Sequence, residues 1–210
     1  GTTLANGDLI SFTGALTRVA GENVGTYAIN QGSVANSNYT ITYNSADLTI
    51  GALAVTITAD AKSKTYGDAD PALTYTSVPA VGTALANGDV ISFTGALTRV
   101  AGENVGTYAI NQGTLALSSN YSITFVPADF TITKRSLTVT VDGSQTKVYG
   151  SSDPTFTYAH GTLYNGDTDS VFSGVLARAT GSGVGVYAIN QGSLTAGGNY
   201  EISFTGADIS

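Results

Sequence analysis

Residues 82–113 read GTALANGDVISFTGALTRVAGENVGTYAINQG, and residues 1–32 read GTTLANGDLISFTGALTRVAGENVGTYAINQG. The two stretches differ at two positions only, Thr3/Ala84 and Leu9/Val90. A third, more diverged copy begins near Gly161 and ends in the closely matching run Val186–Gly192. The repeat spacing of about 80 residues suits a small domain and is too long for one turn of a solenoid. The sequence therefore predicts a tandem array of small modules.

A second repeated stretch sets the module boundaries. LAVTITADAKSKTYGDADPALTYT, from Leu53, matches LTVTVDGSQTKVYGSSDPTFTY, from Leu137, and both precede an Asn-Gly-Asp segment. We call the part of a module before that segment its front half, and the remainder its back half. The prediction is a complete module at 51–134 and a module at 135–210 that lacks its last strand residues. Residues 1–50 then hold only a back half.

The missing front half at residues 1–50 has two interpretations. Either a longer array is cut out of register, or another chain completes the half-module. Both stay open on the sequence alone.

Apolar residues recur with a period of two rather than 3.6. They form three one-sided sets, Leu53/Val55/Ile57, Ile91/Phe93/Leu97 and Tyr121/Ile123/Phe125. Thr and Ser occupy most of the alternate positions, as in strands with one face in water. The pattern predicts an all-β fold of tandem β-sandwich or β-grasp-like modules. The only helical candidate is the loop around Asp70–Leu73.

Asn-Gly turn pairs separate the predicted strands, and the positions of the apolar residues shift from odd to even near the end of the module. Asn6-Gly7, Asn87-Gly88 and Asn165-Gly166 are preferred pairs for type I′ hairpin turns, which need positive φ at both central residues. Apolar residues are odd-numbered in Tyr121–Phe125 but even-numbered at Phe130 and Ile132. One residue is therefore inserted near Pro127, which predicts a β-bulge or a crossing between sheets.

The junction between modules has no linker composition. The chain runs Thr131–Val139 as TITKRSLTV, without a Gly/Ser or Pro tract. One strand leads almost directly into the next. This predicts modules arranged end to end as an elongated rod.

Composition excludes several classes of function. The 210 residues include no Cys, one His, eight Lys and Arg, and 15 Asp and Glu, for a net charge of −7. Disulfides, zinc fingers and thiolate nucleophiles are excluded, and so few basic residues argue against nucleic-acid binding. No apolar run approaches the roughly 18 residues of a membrane helix, so we expect no membrane insertion. The single His160 cannot form a catalytic triad repeated along the array, so we expect no enzyme and no cofactor.

Two kinds of residue are the candidates for a ligand site. Asp68 with Asp70, and Asp167 with Asp169, form D-x-D pairs in loops, a pattern that suits calcium as well as turns. Arg99, Arg178 and Tyr164 are candidates for glycan contacts. The alternatives are rim ion pairs for the arginines, where Glu22 and Glu103 lie nearby, and core positions for most tyrosines. Among the tyrosines, Tyr164 is expected to have the most exposed ring.

Three segments carry a family resemblance. Lys64–Tyr75 (KTYGDADPALTY), Gly106–Ile110 (GTYAI) and Asn120–Phe125 (NYSITF) together resemble the MBG repeat of the YGX type. Such repeats occur in tandem in large bacterial surface proteins, including filamentous-haemagglutinin-like adhesins. The resemblance implies a small β-rich extracellular module, and it carries over no catalytic residue.

Three functions follow as expectations. The first is a non-catalytic stalk of a bacterial cell-surface or secreted adhesin, whose partners are neighbouring repeat modules. The second is a self-assembling extracellular filament or matrix subunit in which another copy of the chain completes residues 1–50. The third is a weak multivalent binder of surface glycans.

Overall fold

The strands of this computed structural model confirm the all-β prediction; it describes residues 3–4, 6–7 and 9–210. The only helical element in that part of the chain is a 3₁₀ turn at Asp169–Val171, so the helical candidate at Asp70–Leu73 was wrong. No helix of the described residues is long and apolar enough to cross a membrane. Residues 1–50 contain β1 (Thr17–Arg18), β2 (Gly25–Asn30) and β3 (Ala46–Ile50).

The two later repeats contain the remaining strands. Those of 51–134 are β4 (Leu53–Ala59), β5 (Lys62–Thr65), β6 (Tyr75–Val78), β7 (Thr98–Arg99), β8 (Gly106–Asn111), β9 (Tyr121–Val126) and β10 (Ala128–Thr133). Those of 135–210 are β11 (Arg135–Val141), β12 (Tyr158–His160), β13 (Phe172–Ser173), β14 (Ala177–Arg178), β15 (Tyr187–Asn190), β16 (Thr195–Ala196), β17 (Tyr200–Thr205) and β18 (Ala207–Ile209).

The chain divides into two compact units that do not follow the repeat boundaries. The first comprises residues 1–58, 76–96 and 114–126. It holds the antiparallel sheet β1-β2-β3 and the sheet β6-β4-β9, in which β4 runs parallel to β9 with Leu53 opposite Tyr121. Val55 and Ile57 of β4 are fully buried, as the alternating pattern predicts. The module bounds at 1–50, 51–134 and 135–210 stay predictions.

The second unit comprises residues 59–75, 97–113 and 127–210. It holds the sheets β5-β10-β8-β7, β12-β11-β17 and β14-β15-β18, with the short pair β13-β16. Within residues 135–210, Val139 and Val141 of β11 share one buried cluster with Ile189 of β15 and Ile209 of β18. Facing residues of two sheets thus form one core, as in a small sandwich.

The phase change near the end of the 51–134 and 135–210 repeats marks a crossing between sheets. β17 pairs in parallel with β11, whereas β18 pairs with β15 in another sheet, and Gly206 alone separates them. A side chain at Gly206 would place its Cβ 2.7 Å from the carbonyl oxygen of Ile189. Pro127 stands at the same point between β9, which pairs with β4, and β10, which pairs with β8.

The type I′ prediction holds in one of the three Asn-Gly turns. Asn165 and Gly166 both have positive φ, at 54° and 79°, and the Asp167 amide donates to the Tyr164 carbonyl. Gly7 and Gly88 also have positive φ, but Asn165 and Ser144 are the only such non-glycine residues in the described ranges. The prediction was therefore wrong at Asn6 and Asn87. The Asn87 side chain accepts a hydrogen bond from the Asp89 amide at 3.1 Å, a local contact that favours ordinary turn geometry.

Candidate interface between modules

A cluster of four charged side chains links the front and back halves of the 51–134 repeat. Lys64 of β5 lies 2.8 Å from Asp70, and Asp70 lies 2.6 Å from Nε of Arg99 on β7. Glu103 contacts both cations, at 2.5 Å from Lys64 and 2.6 Å from Arg99. We call these four residues the Arg99 cluster. The Lys64 and Arg99 side chains are only 3% and 10% exposed, so both cations are desolvated and paired.

The guanidinium of Arg99 has further partners within the protein. It donates to the carbonyls of Val100 and Gly102 and lies over the Phe130 ring, 4.8 Å from its centroid. These contacts occupy the donors that a glycan would need.

Titration of the Arg99 cluster reflects this pairing. The hydrogen bond from Arg99 lowers the pKa of Asp70 to about 2, and Lys64 contributes in the same direction. Hydrogen bonds from Lys64 and Arg99 lower the pKa of Glu103. Burial acts to lower the pKa of Lys64, but its hydrogen bonds to Asp70 and Glu103 outweigh burial and raise it. All four groups are thus held in their charged forms around neutral pH.

The same arrangement recurs in residues 135–210. Arg178 Nε donates to both carboxylate oxygens of Asp153, at 3.0 and 2.9 Å, and Lys147 lies 2.6 Å from the same carboxylate. Hydrogen bonds from Lys147 and Arg178 lower the pKa of Asp153. From the sequence, nearby glutamates were considered as partners only for Arg18 and Arg99, since Ser182 stands at the equivalent position beside Arg178, and the aspartate of the Asp-Pro dipeptide was missed. The available signal was that Lys-x₅-Asp-Pro accompanies the arginine in the 51–134 and 135–210 repeats and is absent from residues 1–50.

The D-x-D candidates for calcium have protein partners. Asp68 pairs with Arg135, Asp70 belongs to the Arg99 cluster, Asp167 accepts from two tyrosines, and Asp169 lies 3.1 Å from His160. Neither pair converges on a single partner. The described residues contain no group of three or more His, Cys, Asp and Glu arranged to hold a metal ion. The calcium and the turn interpretations of these aspartates both stay predictions.

A tyrosine pair and one carboxylate connect the 51–134 repeat to the 135–210 repeat. Tyr66 and Tyr200, each 3% exposed, meet edge to face with ring centroids 5.4 Å apart. Their hydroxyls donate to the same Oδ2 of Asp167, at 3.0 Å from Tyr66 and 2.8 Å from Tyr200. We call these three residues the junction triad. Two buried hydroxyls thereby satisfy one carboxylate across the repeat boundary.

Burial sets the titration of the junction triad. It raises the pKa of Tyr200 to about 12, with Asp167 adding to the effect. Burial and the hydrogen bond to Asp167 also raise the pKa of Tyr66. Both phenols therefore stay protonated, as donors must, well beyond neutral pH.

The glycine after Tyr66 completes this contact. Gly67 has φ +85°, and a Cβ there would lie 2.5 Å from the Cβ of Tyr164. The Arg135 guanidinium stacks over the Tyr164 ring at 3.9 Å and donates to the Tyr66 carbonyl and to Asp68. The Tyr-Gly dipeptide therefore packs directly against Tyr164 and Tyr200 of the following repeat, and the lack of a side chain at Gly67 leaves room for Tyr164.

The expectation that Tyr164 has the most exposed ring was wrong. Its ring is half-buried under Arg135, because the first residue of β11 places a guanidinium on it. Tyr149, the counterpart of Tyr66 in the last repeat, is 73% exposed instead.

An asparagine forms a second contact across the repeat boundary. The Asn199 side chain accepts from the Val105 amide at 2.9 Å and donates to the Asn104 side chain at 3.0 Å. The first unit contains the same pairing one repeat earlier. There, Asn120 accepts from the Val24 amide at 3.0 Å and donates to Asn23 at 2.9 Å. Recurrence at two boundaries identifies this contact as a property of the repeat.

The recurring Asn-Tyr dipeptide was the sequence signal for this interface. Asn120-Tyr121 and Asn199-Tyr200 stand at equivalent positions, but alternation alone predicts only that the tyrosines point inward. Partners in a neighbouring repeat leave no mark on the period of the strand itself. As a result, neither the asparagines nor Tyr66 could be recognised from the sequence as interface residues.

Chemically, the interface holds repeats together. Its tyrosines, asparagines and arginines are hydrogen-bonded to one another or to backbone carbonyls. His160, the single histidine of the chain, contacts the Gly161 carbonyl, Asp169 and the ring of Phe172. Each ring nitrogen of His160 therefore has a hydrogen-bond partner within the protein, Gly161 at Nδ1 and Asp169 at Nε2.

Comparison with known proteins agrees with this repeat architecture. The family model described as "MBG domain (YGX type)" matches residues 1–49, 55–131 and 137–210. No curated protein and no solved structure matches the chain. The Tyr-Gly dipeptides at residues 66–67 and 149–150 lie within the second and third matched ranges. Three tandem matches cover almost the whole sequence, and the chain is a repeat region that belongs to the MBG domain family of the YGX type.

Proposed function

We propose that this chain is a structural stalk segment of a large bacterial cell-surface or secreted adhesin, located outside the cell. The observation that carries the proposal is the junction triad, in which Tyr66 of one repeat is buried against Tyr200 and Asp167 of the next. A protein that extends a binding tip away from a surface needs junctions that resist bending.

Chain connectivity supports the same function. β10 ends at Thr133 and β11 begins at Arg135, so a single residue separates strands of consecutive repeats. Arg135 is itself a junction residue, with contacts to Tyr66, Asp68 and Tyr164. A connection this short leaves little freedom for a hinge.

The contacts of the three glycan candidates favour a stalk over a glycan binder. Arg99 and Arg178 are bound to aspartates and to backbone carbonyls, and Tyr164 lies beneath Arg135. Glycan recognition uses exposed aromatic rings and unoccupied polar groups. These three side chains offer little of either.

The stalk proposal is tested by measuring how firmly the junction is held. Because the chain has no cysteine, spin labels can be placed at Thr107→Cys and Ser203→Cys, both on exposed strand positions. Pulsed electron double resonance should give one narrow distance distribution for this pair. Tyr66→Ala should broaden it, whereas Tyr149→Ala, which alters the equivalent but exposed tyrosine, should leave it narrow.

Two outcomes would contradict the proposal. A broad distribution in the unaltered chain would show a flexible junction. Saturable binding of a surface glycan tighter than about 100 μM would instead assign the chain to the recognition part of such a protein. Small-angle scattering adds an independent check, because a stiff array of this length should have a maximum dimension on the order of 80–110 Å.

A further inference from the structure

The first strand of the 135–210 repeat pairs in parallel with a strand from late in the same repeat. β11 and β17 stay in register over six positions, from Arg135 opposite Tyr200 to Thr140 opposite Thr205. The amide of Arg135 also donates to the carbonyl of Asn199 at 3.0 Å, which extends the ladder at its start. Hydrogen bonds are evenly spaced along a parallel pair. An early and a late strand of the repeat are therefore joined by one continuous ladder.

The 51–134 repeat has the same kind of pairing. β4, its first strand, pairs in parallel with β9 over six positions that begin with Leu53 opposite Tyr121. β5, its second strand, pairs in parallel with β10 over four positions that begin with Lys62 opposite Phe130. The partners in both pairs have the same separation in sequence. Parallel pairing of early with late strands is thus a property of both repeats.

Buried side chains shield these ladders from water on one face. Leu137 and Val139 of β11 are 2% and 0% exposed, and they stand opposite Ile202 and Phe204 of β17. In β4, Val55 is fully buried as well. A hydrogen bond is stronger where water is excluded, because the local dielectric is low and no solvent competes for the donor.

Tension carried by the covalent chain loads the β11·β17 ladder in shear. A pull reaches β11 through Lys134, at the start of that strand, and leaves β17 through Gly206, at its end. Because the strands are parallel, these two points lie at opposite ends of the ladder, and the pull slides one strand along the other. All the bonds of the ladder then carry the load together. A pull applied at the same end of both strands would instead open the bonds one at a time.

We propose that the parallel pairs β11·β17 and β4·β9 are mechanical clamps, which keep each repeat folded when the chain is under tension. This tensile function rests on the proposed stalk, since a stalk between a cell and the object that it holds is pulled from both ends. Resistance to force depends on the rate of unfolding under load rather than on the free energy of unfolding. A small module of modest stability can therefore still resist a pull along its strands.

The test compares two directions of pulling on the full 210-residue chain. Since the chain has no cysteine, DNA handles for optical tweezers can be attached to introduced cysteines. Lys134→Cys with Thr205→Cys places the handles at opposite ends of the β11·β17 ladder, whereas Lys134→Cys with Gly198→Cys places both at the same end. All three positions are exposed, and no atom lies within 4 Å of a Cβ added at Gly198. At one loading rate, the opposite-end handles should require an unfolding force at least about twofold higher.

The other repeat offers an independent comparison if one pair of handles disturbs folding. Gly51→Cys with Val126→Cys loads the β4·β9 ladder from opposite ends, and Gly51→Cys with Ser119→Cys loads it from one end. These three positions are exposed as well. The same ordering of unfolding forces is expected.

A matched pair of core variants separates the ladder from general packing. With the opposite-end handles on β11·β17, Ile202→Ala removes a side chain within the ladder, opposite Leu137. Leu194→Ala removes a more deeply buried side chain of the same core that lies outside the ladder. The unfolding force should fall more with Ile202→Ala, although Leu194→Ala deletes the better-buried residue.

Two results would overturn the clamp. The first is an equal unfolding force for opposite-end and same-end handles. The second is a larger loss of force in Leu194→Ala than in Ile202→Ala, because resistance would then follow core packing. Neither result depends on the junction triad. A narrow distance distribution between labels at Thr107 and Ser203, combined with equal unfolding forces, would leave the stalk proposal standing and remove the clamp, so the two failures are distinguishable.

Discussion

The ring of Tyr66 meets the ring of Tyr200 edge to face at 5.4 Å, and both hydroxyls donate to one oxygen of Asp167. The two tyrosines lie in consecutive repeats, so this contact holds one repeat against the next. Edge-to-face pairs contribute roughly 0.5–1.5 kcal/mol beyond the area they bury. A hydrogen bond to a charged acceptor contributes roughly 1.5–3 kcal/mol. The contact therefore makes a sizeable contribution for a domain of this size.

Removing one hydroxyl from the junction triad should weaken the junction without emptying its core. Tyr66→Phe keeps the ring but leaves the Asp167 carboxylate with one tyrosine donor instead of two. We expect a loss of about 1–2 kcal/mol in the free energy of unfolding, measured by urea denaturation. Tyr149→Phe, at the exposed equivalent position, should change stability by less than about 0.5 kcal/mol. Equal losses in both variants would contradict an interface role for Tyr66.

Alkaline pH should destabilise the folded chain, because the junction tyrosines ionise at a higher pH in the folded state than in the unfolded state. The folded-state pKa of Tyr200 is raised to about 12 and that of Tyr66 is also raised, whereas an unfolded tyrosine titrates near 10. Between those values the unfolded chain loses protons that the folded chain keeps, so stability falls as pH rises. Stability measured from pH 8 to pH 11.5 should be flat up to about 10 and then decline. The decline should be smaller in Tyr200→Phe, and an unchanged slope there would assign it to other groups.

Acid should act on the Arg99 cluster instead. Asp70 titrates in the folded state at about 2, and the pKa of Glu103 is lowered as well. Their stabilising contribution is complete above the unfolded values near 4 and is lost as pH falls towards 2. Since the Asp70 side chain is 42% exposed, solvent screening limits its share to about 1 kcal/mol. Thermal unfolding from pH 5 to pH 2 should show this loss, and Asp70→Asn should flatten the profile.

The period-two pattern of apolar residues was enough to predict the all-β fold. It could not predict contacts between residues that are distant in sequence. Successive side chains of a strand point to opposite faces, so the sequence alone shows which residues share a face. This explains why the alternation at Leu53, Val55 and Ile57 and the phase change at Pro127 could be predicted. The Tyr66–Asp167 and Arg99–Asp70 contacts join residues 101 and 29 positions apart. Nothing in either segment alone indicates such a partner. Repetition was the usable clue, because Lys-x₅-Asp-Pro and Asn-Tyr each recur at equivalent positions of the 51–134 and 135–210 repeats.

The glycine of the Tyr-Gly dipeptide has to meet two requirements, a positive φ and, at Gly67, a close contact with the next repeat. Gly67 and Gly150 have nearly the same backbone, with φ of +85° and +86°, so alanine strains both equally. Only Gly67 has a neighbour: its added Cβ would lie 2.5 Å from Tyr164, whereas no atom lies within 4 Å at Gly150.

Gly150→Ala should therefore cost about 1 kcal/mol of unfolding free energy, and Gly67→Ala should cost a further 1–3 kcal/mol for the displaced ring. Urea denaturation of Gly67→Ala, Gly150→Ala and the double variant Gly67→Ala/Tyr164→Ala separates the cost of the backbone angle from the cost of the contact with Tyr164. If the two alanines prove equally costly, Gly67 is required only for its backbone angle and the seat for Tyr164 plays no part. If the difference disappears when Tyr164→Ala is added to Gly67→Ala, the contact with the following repeat is the reason that this position needs glycine.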